Sequence, residues 1–143
     1  ENLLVLSDFA HHPTAISGAL ESLRSRWPDR KIIACFEPRS NTAVTNVFQD
    51  RFAESLALAD HALIGQVHRV ERIAPEKRID TQEIVKFIKA KGRLANAFES
   101  NRKMGDFLRD EFDSASKLKS MVVFFSNGSF DGVIQEFVEV VRN

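Results

Sequence analysis

Short apolar runs alternate with amphipathic stretches along the whole chain, which is the rhythm of repeated strand–helix units. Leu3 to Leu6 is a continuous apolar run, as a buried parallel strand requires. Pro13 suits a first helical turn, where its missing N–H costs nothing. Ile16, Leu20, Leu23 and Trp27 then recur at helical spacing until Pro28 stops the helix. "KIIACF" (31–36) reads as the second strand and "EPRSNT" (37–42) as a polar loop. Val44, Val47, Phe48, Phe52 and Leu56 form the apolar stripe of the next helix, and "HALIG" (61–65) is a third strand ended by Gly65.

Residues 66–79 carry only weak periodicity through Val67, Val70 and Ile73, and Pro75 breaks it; they read as a long loop with room for a short strand. Asp80 is a helix N-cap, with Glu83 as the answering residue of a capping box. Ile84, Val85, Phe87 and Ile88 carry that helix, and Gly92 ends it after Lys89 and Lys91, which suit the negative helix end. "RLANAF" (93–98) is a short strand. Residues 102–112 are a helix with Met104, Phe107, Leu108 and Phe112 inward, "MVVFF" (121–125) is the most strand-like segment, and Phe130, Ile134, Phe137 and Val141 line a closing helix. These elements make one α/β domain over residues 1–143: a Rossmann-like open, mostly parallel sheet flanked by helices.

Composition adds limits. The chain has 143 residues, 43% of them hydrophobic and 28% charged, with a formal net charge of zero. No basic excess is available for a nucleic-acid backbone, and no apolar stretch approaches the roughly 20 residues of a membrane helix. Cys35 is the one cysteine. It sits in an apolar run, cannot form an intramolecular disulfide, and is expected to be a buried thiol in a reducing, cytoplasmic setting. The chain opens on Glu1 and leads at once into strand-like sequence, which predicts a domain excised from a longer protein.

In an open parallel sheet, ligands bind in the loops at the carboxyl ends of the strands. Three such loops are rich in polar side chains: "SDFAHHP" (7–13), "EPRSNT" (37–42) and "SNGSFDG" (126–132). Read alone, each has a plainer meaning: a helix start capped by Asp8 or His12, a solvated loop with Asn41 or Thr42 as a cap, and a tight turn with positive φ at Asn127-Gly128. Asp8, His11 and His12 are also metal-ligand types, but adjacent histidines in an extended turn point apart and no third ligand follows. Ser7, Ser126 and Ser129 lack a nucleophile-elbow context. Neither G-x-G-x-x-G nor G-x-x-x-x-G-K-[ST] occurs, so the chain is not expected to hold a nucleotide alone.

Taken together, "SDFAHHPTAI", "FEPRSNT" and "FSNGSFDG" resemble the C-terminal domain of the Mur ligases. The first loop is similar to the D-Y-G-H-H-P stretch of the muramate–alanine ligase branch. The second, with Arg39-Ser40-Asn41-Thr42 after Glu37-Pro38, fits the murein peptide ligase branch better, and the last loop is similar to that branch too. The resemblance implies a three-domain, cytoplasmic enzyme of peptidoglycan recycling. It joins UDP-N-acetylmuramate to the tripeptide L-alanyl-γ-D-glutamyl-meso-diaminopimelate through an acyl phosphate. ATP and Mg2+ serve the full enzyme, with the magnesium held by the central domain. The N-terminal and central domains of the same chain are the implied partners, with no nucleic acid and no membrane. It further implies Asp8 at the nucleotide and His11 at the incoming amine. Arg39, Ser40, Asn41, Thr42, Ser126 and Asn127 fall on the peptide, and no residue of this chain falls on a metal. Ser7 stands where relatives often carry a second aspartate, and Arg39 is displaced by one position from the H-R-Y-T arginine. On this reading the 143-residue chain alone turns over nothing, and His12 packs and caps. The remaining readings are a muramate–alanine ligase domain, a stand-alone flavodoxin-like binding module, or a metal-dependent hydrolase using Asp8, His11 and His12.

Overall fold

A computed structural model describes residues 3–113 and 119–142. Five strands, β1 (Leu3–Asp8), β2 (Lys31–Phe36), β3 (His61–Ile64), β4 (Leu94–Ala97) and β5 (Ser120–Phe125), form one sheet. The order is β1-β5-β2-β3-β4, and every pairing is parallel. The helices are α1 (Pro13–Arg26), α2 (Gln49–Leu56), α3 (Thr81–Ala90), α4 (Asn101–Asp113) and α5 (Val133–Arg142).

Both sheet faces are covered, which explains the unbroken apolar runs of the central strands. On one face Ile16 and Leu20 of α1, Phe52 and Leu56 of α2, and Ile84 and Ile88 of α3 pack on Ile32, Ala34, Phe36, Met121, Val123 and Phe125. On the other, Met104 and Leu108 of α4 and Val133 and Phe137 of α5 pack on Ile33, Cys35, Leu63, Val122 and Phe124. Cys35 is fully buried, and burial pushes its thiol pKa far up, so it packs as an apolar residue.

The strands and helices follow the hydrophobic pattern, with three local departures. The helix expected from Val44 onward starts only at Gln49, and Val47 is 71% exposed. A side-chain bond and backbone bonds to the loop before α3 take up the backbone of the preceding segment instead. Ser40 Oγ accepts from the Ala43 amide (3.1 Å), the Asn46 amide donates to Lys77 O (2.9 Å), and Thr45 bridges Arg78 in an isolated antiparallel pair. Asp80 caps α3 as expected, accepting from the amides of Gln82 and Glu83. The return bond of the capping box is not made by Glu83, because Gln49 Oε1 of α2 takes the Asp80 amide at 2.7 Å. The loop 66–79 holds two short 3-10 turns, Val70–Arg72 and Pro75–Lys77.

Candidate functional site

The strand register sets the site. Asp8 pairs with Phe125, Phe125 with Phe36, and Phe36 with Ile64, so the loops after β1, β5, β2 and β3 leave the sheet at one level. The chain then turns to opposite faces: α1 and α2 cover one, α5 the other. A crevice therefore opens on either side of the loop after β5, the place where ligands bind in open α/β sheets.

Beneath that crevice lies a buried polar network. Glu37, directly after β2, is 2% exposed. Its Oε1 accepts from Ser126 Oγ–H at 2.6 Å and its Oε2 from Asn101 Nδ2 at 2.8 Å. Asn101 Nδ2 also donates to Asp131 Oδ2 (3.0 Å), while Asn101 Oδ1 accepts the Gln66 amide (2.9 Å). One asparagine at the start of α4 thus ties together the loops after β2, β3 and β5. Gly65 makes room for it: a Cβ there would stand 2.3 Å from Asn101 Oδ1.

Arg39 rises from this floor. Its Nη1 lies 4.0 Å from Glu37 Oε2 and donates to His68 Nδ1 at 3.3 Å. The guanidinium lies close over Gly128, where a Cβ would meet Arg39 Cδ and Nε at 2.8 Å. Gly128 is therefore needed for close approach, not for the positive φ expected at Asn127-Gly128. The left-handed residues of this turn are Phe130 (φ 55°), Asp131 (φ 53°) and Gly132 (φ 86°). Arg39, Asn41, Thr45, His68 and Asn127 border an open cleft of about 430 Å³. Asn127 Oδ1 is buried there without a hydrogen-bond partner.

The other expected residues are placed as follows. Ser40 and Thr42 lie within the same loop, with Ser40 Oγ near Thr42 Oγ1 (3.4 Å) and bonded to the Ala43 amide. Ser126 sits below the cleft, held by Glu37 and by the Gly128 amide (2.9 Å). Asp8 Oδ1 accepts the Ala10 amide at 2.8 Å, which fixes the turn after β1. Neither Asp8 nor His12 caps α1 with its side chain, and no side-chain bond closes that helix end. His12 packs against Phe48 instead, with ring centroids 5.2 Å apart and the planes tilted by 60°. His11 Nδ1 is 2.9 Å from the Phe9 carbonyl. A carbonyl only accepts, so Nδ1 carries the proton and a neutral His11 leaves Nε2 as its basic nitrogen. Phe9 itself is 72% exposed beside it.

The family model described as "Mur ligase, glutamate ligase domain" matches residues 1–128. The chain belongs to the Mur ligase C-terminal domain family. A UDP-N-acetylmuramate–L-alanine ligase of Lactococcus lactis subsp. cremoris (strain MG1363) is 38% identical over 81 residues, 57% of this chain and 18% of that protein. The crystal structure of a murein peptide ligase from Psychrobacter arcticus 273-4 matches with a TM-score of 0.75 at 28% identity, covering 99% of this chain and 28% of that one. A domain from a protein described as a UDP-N-acetylmuramate:L-alanyl-γ-D-glutamyl-meso-diaminopimelate ligase of Haemophilus ducreyi 35000HP has the same fold, with a TM-score of 0.67 at 24% identity. The chain matches 18% of the length of the Lactococcus protein and covers 28% of the Psychrobacter one.

Two residues central to this Mur ligase domain, Glu37 and Asn101, had no expected role. A carboxylate between Phe36 and Pro38, at the mouth of a buried strand, is the one local signal for the first. Asn101 has none, since its partners lie 64 and 30 residues away.

Proposed function

We propose that this domain is the acceptor-binding C-terminal part of an ATP-dependent amide-forming ligase that joins UDP-N-acetylmuramate to the tripeptide L-alanyl-γ-D-glutamyl-meso-diaminopimelate. The observation that carries the reading is the placement of Arg39. A planar donor fork, fixed from below by Glu37 and Gly128, faces a cleft also bordered by Asn41 and Asn127. The 28% identity to a murein peptide ligase over 99% of the chain supports the same branch.

In this mechanism ATP phosphorylates the muramate carboxylate and leaves as ADP, and the peptide amine attacks the resulting acyl phosphate, expelling inorganic phosphate and giving up a proton as the amide forms. Arg39 pairs with a peptide carboxylate, with Ser40, Asn41, Thr42 and Asn127 adding hydrogen bonds and Ser126 steadying the loop from below. His11 presents Nε2 to the incoming amine, where it accepts an N–H and orients the lone pair. Asp8 has one oxygen on the Ala10 amide and a second to accept a ribose hydroxyl. On this reading the magnesium is held by the central domain; the described residues bring no three His, Cys, Asp or Glu side chains together around a metal position. The missing phosphate loop belongs to a central domain of the full protein.

The test uses the full-length enzyme with UDP-N-acetylmuramate and ATP. ADP release with the tripeptide is expected, and Arg39→Ala should raise the peptide KM far more than the ATP KM. The 38% identity to an L-alanine ligase favours a second reading, with L-alanine as acceptor. Turnover with L-alanine and none with tripeptide would establish it; ADP release with neither would remove the ligase assignment.

A further inference from the structure

The loop between β3 and α3 forms the outer wall of the Arg39 cleft. It brings Arg69 and Arg72 to the same space, together with His68. Three arginines thus border one cleft, and no Asp or Glu is among the residues lining it. Glu37, among the described residues the one carboxylate in an ion pair with Arg39, is already bound by Ser126 and Asn101. Among the described residues, neither Arg69 nor Arg72 takes part in an ion pair. Like charges held around one concave surface repel each other, and an anion placed among them is attracted by all three.

The wall is built rather than loose. The His68 amide donates to Pro38 O (2.8 Å), the Arg72 amide to Arg69 O (3.0 Å), and Arg78 Nε to Ile73 O (2.8 Å). Arg69 is left-handed, φ 50° and ψ 43°, and its turn begins the Val70–Arg72 3-10 segment. A pinned backbone lowers the ordering cost of binding.

Asn127 also borders the cleft, and its Oδ1 is buried without a hydrogen-bond partner. The cleft, at about 430 Å³, also falls in the size range of small-molecule sites, roughly 300–1,000 Å³.

We infer that Arg69 and Arg72 form, with Arg39, a carboxylate clamp that selects an acceptor peptide bearing several free carboxylates over a simple amino acid. This rests on the tripeptide reading above. In that peptide the γ-glutamyl linkage leaves one carboxylate free and diaminopimelate contributes two more, whereas L-alanine has one. Arg69 and Arg72 are thus specificity residues of the acceptor site.

The full-length enzyme tests it. In the R69Q/R72Q variant the tripeptide KM should rise roughly 10- to 100-fold, as expected for lost hydrogen bonds to charged groups, while kcat and the ATP KM hold. A tripeptide with its diaminopimelate carboxylates amidated should lose affinity in the wild type and lose little more in the variant. R69K/R72K should restore part of the loss. An unchanged tripeptide KM in R69Q/R72Q, or an equal amidation penalty in both enzymes, overturns the clamp and leaves the tripeptide reading standing. A rise in the ATP KM instead makes the arginines nucleotide contacts and likewise overturns it. A wild type that uses L-alanine and no tripeptide removes both readings.

Discussion

Asn101 and Glu37 lie 64 residues apart in the chain and meet through a 2.8 Å hydrogen bond beneath the cleft. The second N–H of the same amide holds Asp131, and its oxygen holds the Gln66 amide. Asn101→Ala removes all three bonds at once and leaves a carboxylate 2% exposed with the Ser126 hydroxyl and the more distant Arg39 guanidinium as its partners. Losing three bonds from one buried network, one of them to a carboxylate, should cost about 3 kcal/mol or more. Ser100→Ala, which only takes an acceptor from the Lys103 amide at the start of α4, should cost about 1 kcal/mol. Urea unfolding of the two variants provides the comparison. Equal losses would mean that the network contributes no more than an ordinary helix cap.

Gly128 and Arg39 give a prediction of the opposite kind. A Cβ at 128 meets the flexible end of the arginine and not the backbone. Gly128→Ala should therefore change stability by no more than about 0.5 kcal/mol. It should still displace the guanidinium and raise the peptide KM of the full enzyme roughly tenfold. If the peptide KM stays at the wild-type value, Arg39 does not need its present position.

His61 makes stability pH-dependent. It is buried at the start of β3, donating Nε2–H to Asn96 Oδ1 at 2.7 Å and packing edge-on against Phe107. Burial holds its pKa below the ordinary value of 6.5, and the charge of Lys31 acts in the same direction. The unfolded chain thus binds this proton more readily than the folded one. The contribution is fully present above pH 6.5 and is lost as pH falls from there toward the lowered folded value. Urea midpoints taken from about pH 8 to about pH 5.5 should fall more steeply for the wild type than for His61→Gln. Parallel curves would show that His61 titrates alike in both states.

These contrasts mark what local sequence encodes. β2 follows its apolar run residue for residue, and α1, α3 and β5 lie where periodicity, Pro13, Asp80 and Gly92 put them, because those signals act within a turn or two. The three polar loops were legible as well, since their place at strand ends follows from the fold class. The rest depends on partners far along the chain. Asn46 meets Lys77, Gln49 replaces Glu83 at the Asp80 amide, and Asn101 reaches Glu37, all through contacts that no local pattern records. For the same reason the loop 66–79 had no visible role until β3 brought it against Arg39.

The two adjacent histidines should separate in function. His11 is locked by its Nδ1–H bond to the Phe9 carbonyl, which turns the basic Nε2 away from the backbone. His12 points elsewhere and packs with a tilted ring against Phe48, on the segment leading into α2. In the full enzyme, His11→Ala should lower kcat by roughly 10²- to 10⁴-fold, the usual range for a group that handles a proton or orients an amine. The KM values for ATP and peptide should move little. His12→Ala should keep kcat and lose about 1 kcal/mol of stability through the missing ring contact. Steady-state kinetics and thermal unfolding of both variants decide the matter. A kcat loss that follows His12 would reverse the assignment, and a loss shared equally by the pair would point to the loop backbone, since each ring faces a different neighbour.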